Sequence, residues 1–206
     1  MTASFQTVTS LPPKPERPAG FQSRRPREDD VPALVELYNA VARQRELPLS
    51  TEADILAHRT TPTWWQEALV IQRPNGKIAA YAHFAEEVTR NQERDLWIDG
   101  RVHPDATGHG LATYLLGRGE RRVWLGDLRR HPGGRGAHER LALRTTSDNG
   151  NDRARALYER LGFSPVRHRL AMRVELQPNM PKSSRGWGVT VRPLALAADL
   201  RPLWRA

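Results

Sequence analysis

Two stretches of this chain combine residue types and spacings that can do chemistry. The first runs Ile98-Asp99-Gly100-Arg101-Val102-His103-Pro104-Asp105-Ala106-Thr107-Gly108-His109-Gly110-Leu111-Ala112. A strand pattern ends at Val102, a turn with glycines follows, and a helical pattern opens at Gly110. The first N–H groups of a helix have no internal partner and lie at the positive end of its dipole. Glycines let an anionic group approach the backbone closely. The stretch therefore reads as an anion cradle of the kind that holds a phosphate. A Gly-x-Gly alone is a weak signal. It lacks the third glycine of a dinucleotide fingerprint and the Gly-Lys-Ser/Thr of a P-loop, and an ordinary strand-to-helix turn looks the same.

The second stretch runs from Thr145 through Asn149-Gly150-Asn151 to Leu157-Tyr158 and Gly162-Phe163. A polar turn feeds a helix that starts near Asn151. Ala154, Leu157, Tyr158 and Leu161 are three and four apart and share one face. Tyr158 is then either a core residue whose hydroxyl is satisfied at the edge or, beside a leaving group, a proton donor.

The elements that must position these stretches can be read from periodicity and turn residues. A short strand fits 21–26, and a helix fits about 30–45, with Asp29 or Asp30 where an N-cap belongs. Ser50 or Thr51 caps a second, shorter helix. A strand at 66–72, the turn Pro74-Asn75-Gly76 and a partner strand at 77–86 form a hairpin. A strand at 95–102 stops before Pro104, which has no N–H to give a ladder. A long helix fits 110–126, a basic glycine-rich loop 127–137, a strand 141–145 and a helix 151–161 that Gly162 ends. Final strands fit 163–166 and 167–176.

Residues 1–20 read as a disordered lead because Pro12, Pro13, Pro15 and Pro18 crowd a segment thin in apolar residues. Residues 177–188 read as a linker. Residues 189–206 resemble the chain's own start, as a truncated second repeat or a C-terminal extension would. An exposed stub there, with Trp187, Leu200 and Trp204, would be a dimerisation liability, so a homodimer is among the expected states.

Read jointly and in this order, the two stretches resemble the GCN5-related N-acetyltransferase (GNAT) family. The residues that carry the resemblance are Val102 and Pro104, Gly108 to Ala112, Asn151, Ala154, Leu157-Tyr158 and Gly162-Phe163. It covers residues 21–176. It implies an α/β (α+β) GNAT fold: a central, mixed, mostly antiparallel sheet of six to seven strands flanked by about four helices. It implies acetyl-CoA as co-substrate and no metal. The backbone of Arg101 and Val102 would meet the pantetheine arm. Thr107, Gly108, His109, Gly110, Leu111 and Ala112 would hold the pyrophosphate, and Asn151 would contact the arm beside the later helix. Tyr158 would be the general acid toward the departing thiolate.

The acceptor amine must lose a proton. Asp99 or Asp95, an even number apart and so on one strand face, or His83, could take it. Of these Asp99 is the expected base. The acceptor, a small-molecule or protein amine, would lie near 30–60 and 88–94, where Trp64 and Trp65 either line a pocket or pack the core. One departure from the family pattern stands out. Asp105 occupies the first position of the loop, where a carboxylate would repel a pyrophosphate. That departure supports an alternative reading, a catalytically weak or inactive acetyl-CoA-binding domain left from a tandem acetyltransferase.

Composition bounds what remains. The 206 residues suit one domain, or one domain and a fragment. The absence of cysteine excludes disulfides, thiolate metal sites and a thiol nucleophile, and fits a cytoplasmic location. No apolar run reaches the ~20 residues of a membrane helix, so no membrane is expected. The net charge is +9, nearly all of it arginine, since Lys14, Lys77 and Lys182 are the only lysines. The arginines are dispersed rather than gathered into a stripe, so nucleic acid is not an expected partner.

Overall fold

The computed structural model describes residues 2–7, 11–57, 64–88, 94–130, 141–148 and 150–168. The expected linker 177–188 and segment 189–206 lie outside these residues. So do most of the strand expected at 167–176 and residues 131–140 of the expected loop. In chain order the elements are β1 (Thr2–Thr7), β2 (Gln22–Arg24), α1 (Val31–Gln44), α2 (Glu52–Ala57), α3 (Trp64–Glu67), β3 (Ala68–Gln72), β4 (Ile78–Val88), β5 (Arg94–Val102), α4 (Leu111–Arg130), β6 (Leu141–Ser147), α5 (Asp152–Arg160) and β7 (Ser164–His168). The seven described strands form one mixed sheet in the order β2-β3-β4-β5-β6-β1-β7. Its pairings are antiparallel except β5 with β6.

The pleat of β4 and β5 sorts side chains onto two faces. Ala80, Ala82 and Phe84 on β4 pack with Leu96 and Ile98 on β5 against Leu115 of α4. Tyr81, on the opposite face, packs with Val70, Trp64 and Leu34 of α1. The helices thus cover both sides of the strands, and β5 carries one row of side chains toward each.

Four expectations need correction. The lead is not disordered throughout. Residues 2–7 form β1, paired along its length with β6 and over Thr2–Phe5 with β7. The prolines that argued for disorder serve packing instead. Pro12 accepts a hydrogen bond from Arg121 of α4 at 2.8 Å. Pro15 lies so close to Gly117 that a Cβ there would stand 3.1 Å from it. Next, Trp64 begins a single helical turn ahead of β3, so the strand starts at Ala68 rather than residue 66. Helix α4 runs on to Arg130, so 127–130 are helical rather than loop.

The last correction concerns Asp30. It stands at the N-cap of α1 but makes no side-chain cap hydrogen bond within that helix. Its carboxylate takes a two-pronged contact from Arg24 at 2.6 and 2.7 Å and the Arg27 N–H at 2.7 Å. Burial opposes ionisation of Asp30, but the Arg24 and Arg27 hydrogen bonds outweigh it and hold the carboxyl below the usual aspartate range. A carboxyl lowered in the fold stabilises above the ordinary aspartate range, and this contribution is lost as pH falls through the lowered value. Asp30→Asn should therefore destabilise the chain by about 2–3 kcal/mol near neutral pH, because it leaves Arg24 without its counter-charge. Urea unfolding at neutral and acid pH checks this. The gap between wild type and variant should close on acidification.

Candidate active site

The site is built where β5 and β6 part. Their parallel ladder runs from Arg94–Leu141 to Ile98–Thr145 and stops there. Residues 99–102 continue β5 and pair with β4 only, among the described strands. Their backbone groups on the β6 side are thus left open to a slot between the strands. Beyond the slot, Pro104–Ala106 make one 3-10 turn, and α4 begins at Leu111.

That turn delivers the cradle. Gly108 and Gly110 have φ of +83° and +75°, a region that side chains with a Cβ avoid. A Cβ on Gly108 would meet nothing within 4 Å, and one on Gly110 only Pro18 at 3.8 Å. The first backbone hydrogen bond of α4 runs from Tyr114 N–H to Gly110 C=O at 2.9 Å. The N–H groups of Leu111, Ala112 and Thr113 therefore have no helical partner. Open space over glycines, beside unpaired donors at a helix start, fits an anionic pyrophosphate. Thr107 and His109 are exposed beside it. The His109 ring is positioned by the Thr107 carbonyl, 3.2 Å from Nδ1, and by an edge contact to Phe21.

Asp105 is an exposed residue of the loop. Its carboxylate lies 3.7 Å from His103 Nδ1. It lines a cavity of about 600 Å³ shared with Glu36 of α1 and with Arg73 and Lys77 at the β3–β4 turn. That cavity opens on the α1 side of the sheet, whereas α4 packs on the other. The cavity wall mixes charges, with Asp30 and Glu36 as well as Arg73 and Lys77.

On the far wall of the slot stands Tyr158. Asn151 caps α5 by accepting the Ala154 N–H at 3.2 Å, which commits its Oδ1 to the helix. The cap sets the phase of α5 so that Leu157, Tyr158 and Leu161 lean on the core, with the Tyr158 ring 5.6 Å from that of Phe163. Thr145, the last residue of the ladder, donates its hydroxyl to the Tyr158 oxygen at 3.4 Å. The phenol's own proton is then free to point elsewhere. Burial pushes the phenol up from its ordinary value. Thr145 and the guanidiniums of Arg101 and Arg45 pull the other way, and Asp99 adds to the rise.

Asp99 and Arg101 face α1. Arg101 Nη1 donates to Asp99 Oδ1 at 2.6 Å, and the Tyr38 hydroxyl donates to Asp99 Oδ2 at 3.3 Å. Asp99 is 47% exposed, so an incoming group can reach it. Beside them Arg45, past the end of α1, binds Asp148, past the end of β6, at 2.5 Å. Asp95 is different. It is only 4% exposed and is bound by Arg144 at 2.5 Å, so it is closed to an acceptor. His83 stacks beside Trp64, 3.9 Å from Glu67. Trp64 itself is a core residue, stacked on Tyr81. Sequence reasoning missed Tyr38, Thr145, Arg45 and Asp148. The advance signals were that Tyr38 shares the helical stripe of Leu34 and Leu37 and that Thr145 and Asp148 fall within the second stretch.

Among the described residues, no group of three His, Cys, Asp or Glu side chains could hold a metal ion, and no helix is long and apolar enough to cross a membrane. Strands that part at the end of a parallel ladder, glycines at a helix start and a buried phenol beside them mark a class of mixed α/β fold. Comparison narrows the class. The model of the acetyltransferase (GNAT) family matches residues 32–163. The chain belongs to that family.

Among solved structures, the chain is similar to a GCN5-related N-acetyltransferase from Sphaerobacter thermophilus (28% identity, TM-score 0.61, covering 73% of this chain and 45% of that one). It is also similar to a tandem GNAT protein from the clavulanic acid biosynthesis pathway (16% identity, TM-score 0.51, 80% and 49% covered). The structure of yncA from Salmonella typhimurium, with its cofactor acetyl-CoA, is a weaker match (20% identity, TM-score 0.47, 70% and 80% covered). The chain thus spans about half the length of the first two. No curated protein matches it.

Proposed function

We propose that this chain moves an acetyl group from acetyl-CoA to a primary amine of a small molecule or protein by direct attack. The observation that carries this reading is the convergence of three features at one end of β5: the open edge of residues 99–102, the glycine cradle and the Tyr158 hydroxyl. Open backbone at Arg101 and Val102 suits the amide-rich pantetheine arm. Thr107 to Ala112 suit the pyrophosphate, and Asn151 lies at the start of the helix beside the arm. Acetyl-CoA supplies an activated thioester carbonyl.

Asp99 accepts the proton of the ammonium, directly or through one water. The freed amine forms the C–N bond as the C–S bond breaks. Tyr158 gives its proton to the leaving sulfur, the second nitrogen proton passes to solvent as the amide forms, and Tyr158 recovers a proton from solvent. Burial suits Tyr158 to this role, since its proton stays in place until negative charge develops beside it. The chain works in the cytoplasm on this reading. The alternative, an inactive acetyl-CoA-binding domain, rests on Asp105 and predicts binding of acetyl-CoA without amine-dependent turnover.

The test is thiol release from acetyl-CoA with a panel of amines. The chain has no cysteine, so every thiol detected comes from the co-substrate. Amine-dependent release is the expected result. Asp99→Asn should lower kcat by about 10²-fold with acetyl-CoA affinity nearly unchanged. An unchanged kcat in that variant would assign the proton to another group.

A further inference from the structure

We infer that the acceptor amine carries a carboxylate as well, and that Arg101 is the group that selects it. The inference rests on the acetyl-transfer reading above and names its acceptor class.

Arg101 is the next-to-last residue of β5, on the face that looks toward α1. Its guanidinium lies over the Tyr38 ring, 5.2 Å from the centroid. Nη1 is occupied by Asp99 at 2.6 Å and by the Gly100 carbonyl at 2.9 Å. Nε and Nη2 carry the remaining N–H groups and have no partner among the described residues. The side chain is 35% exposed, so it is within reach of a ligand.

The other charges at the mouth are committed differently. Arg45 and Asp148 bind each other, and Asp148 also acts on Arg101 from nearby. Asp99 has one hydrogen bond on each oxygen, which leaves lone pairs on both. The unspent capacity is therefore a guanidinium edge and, within one ion-pair distance of it, a carboxylate. A planar guanidinium edge matches a carboxylate with two parallel hydrogen bonds. The carboxylate beside it matches an ammonium. A ligand that bears both groups on a short skeleton meets both at once. A ligand with only positive charge faces Arg101 as a like charge, and a neutral amide cannot take both donors as a charged pair. Selection of this kind is a difference of affinities between matched ligands.

The experiment compares acid and amide forms of the same amine with the full chain: L-phenylalanine with L-phenylalaninamide, L-methionine with L-methioninamide, and β-alanine with β-alaninamide. The amide forms have the less basic amines and so more free amine near neutral pH. A preference for the acid thus runs against intrinsic reactivity. The acid forms should be favoured by about tenfold or more in kcat/KM, mainly through KM. In Arg101→Gln the acid-to-amide ratio should fall to one or below, because both members of each pair then meet the same uncharged edge and the amide has more free amine. The ratio is taken within each protein, so a general loss of activity in the variant does not disturb it.

A preference of the wild-type chain for the amides overturns the inference and leaves acetyl transfer standing. An acid preference that survives in Arg101→Gln also overturns it, since another group then selects the carboxylate. Turnover of neither set overturns it as well, and direct titration with acetyl-CoA decides separately whether the acetyl-transfer reading falls with it.

Discussion

Tyr158→Phe should slow acetyl transfer by about 10²–10⁴-fold while acetyl-CoA affinity stays nearly unchanged. The substitution removes one oxygen and keeps the ring that packs against Phe163 and the core. The lost contact to Thr145 is long, at 3.4 Å, so stability should change by no more than about 1 kcal/mol. Steady-state kinetics with a saturating amine, beside a binding titration, separates the two effects. Equal rates would remove the general-acid role. Loss of binding in step with rate would make the phenol a positioning residue instead. The pH profile adds a further check. Because burial holds the phenol above its ordinary range, the rate should keep rising with alkalinity through the region where a free tyrosine would lose its proton.

Gly108→Val should weaken acetyl-CoA binding by about 10–100-fold, the equivalent of about 1–3 kcal/mol of strain and lost contact. At φ +83° a branched side chain is strained. The space it would enter is empty of protein, which is the space the cradle offers a phosphate. Gly76→Val is the matched control. Gly76 has φ +79° in the β3–β4 turn, again with open space around it, so it carries similar strain away from the cradle. Both variants should lose stability in urea, and only Gly108→Val should lose acetyl-CoA. An equal loss of binding in the two would attribute the effect to strain alone.

Much of this frame was legible because its signals are local. The stripe Val31, Leu34, Leu37 marks α1, and Asn75-Gly76 marks the hairpin. Asn151 marks the start of α5, and Pro104 marks the end of β5. Each of these depends on neighbours within a few residues. Strand β1 was not legible, because the partners of Thr2–Thr7 are Ala142–Ser147 and Ser164–His168. A pairing of that separation leaves no trace in a run of six residues, and the prolines beside it pointed the other way.

The same division holds in the site. The roles expected of the glycine turn and Tyr158 come from the family resemblance that their spacing carries. The pairing of Arg45 with Asp148, and the cluster of Tyr38, Asp99 and Arg101, join elements far apart in the chain and appear only once α1 lies on the sheet. Asp105 shows the limit most clearly. Sequence places it in the phosphate loop, but only the direction of its side chain, toward His103 and the β3–β4 turn, decides what it does there.

The most direct measurement is a calorimetric titration of the purified chain with acetyl-CoA. The account predicts saturable, one-to-one binding with a micromolar Kd, weakened in Gly108→Val and retained in Tyr158→Phe. An absence of binding to a chain shown to be folded would contradict it, since neither the cradle nor the open edge of β5 would then serve the co-substrate on which acetyl transfer depends.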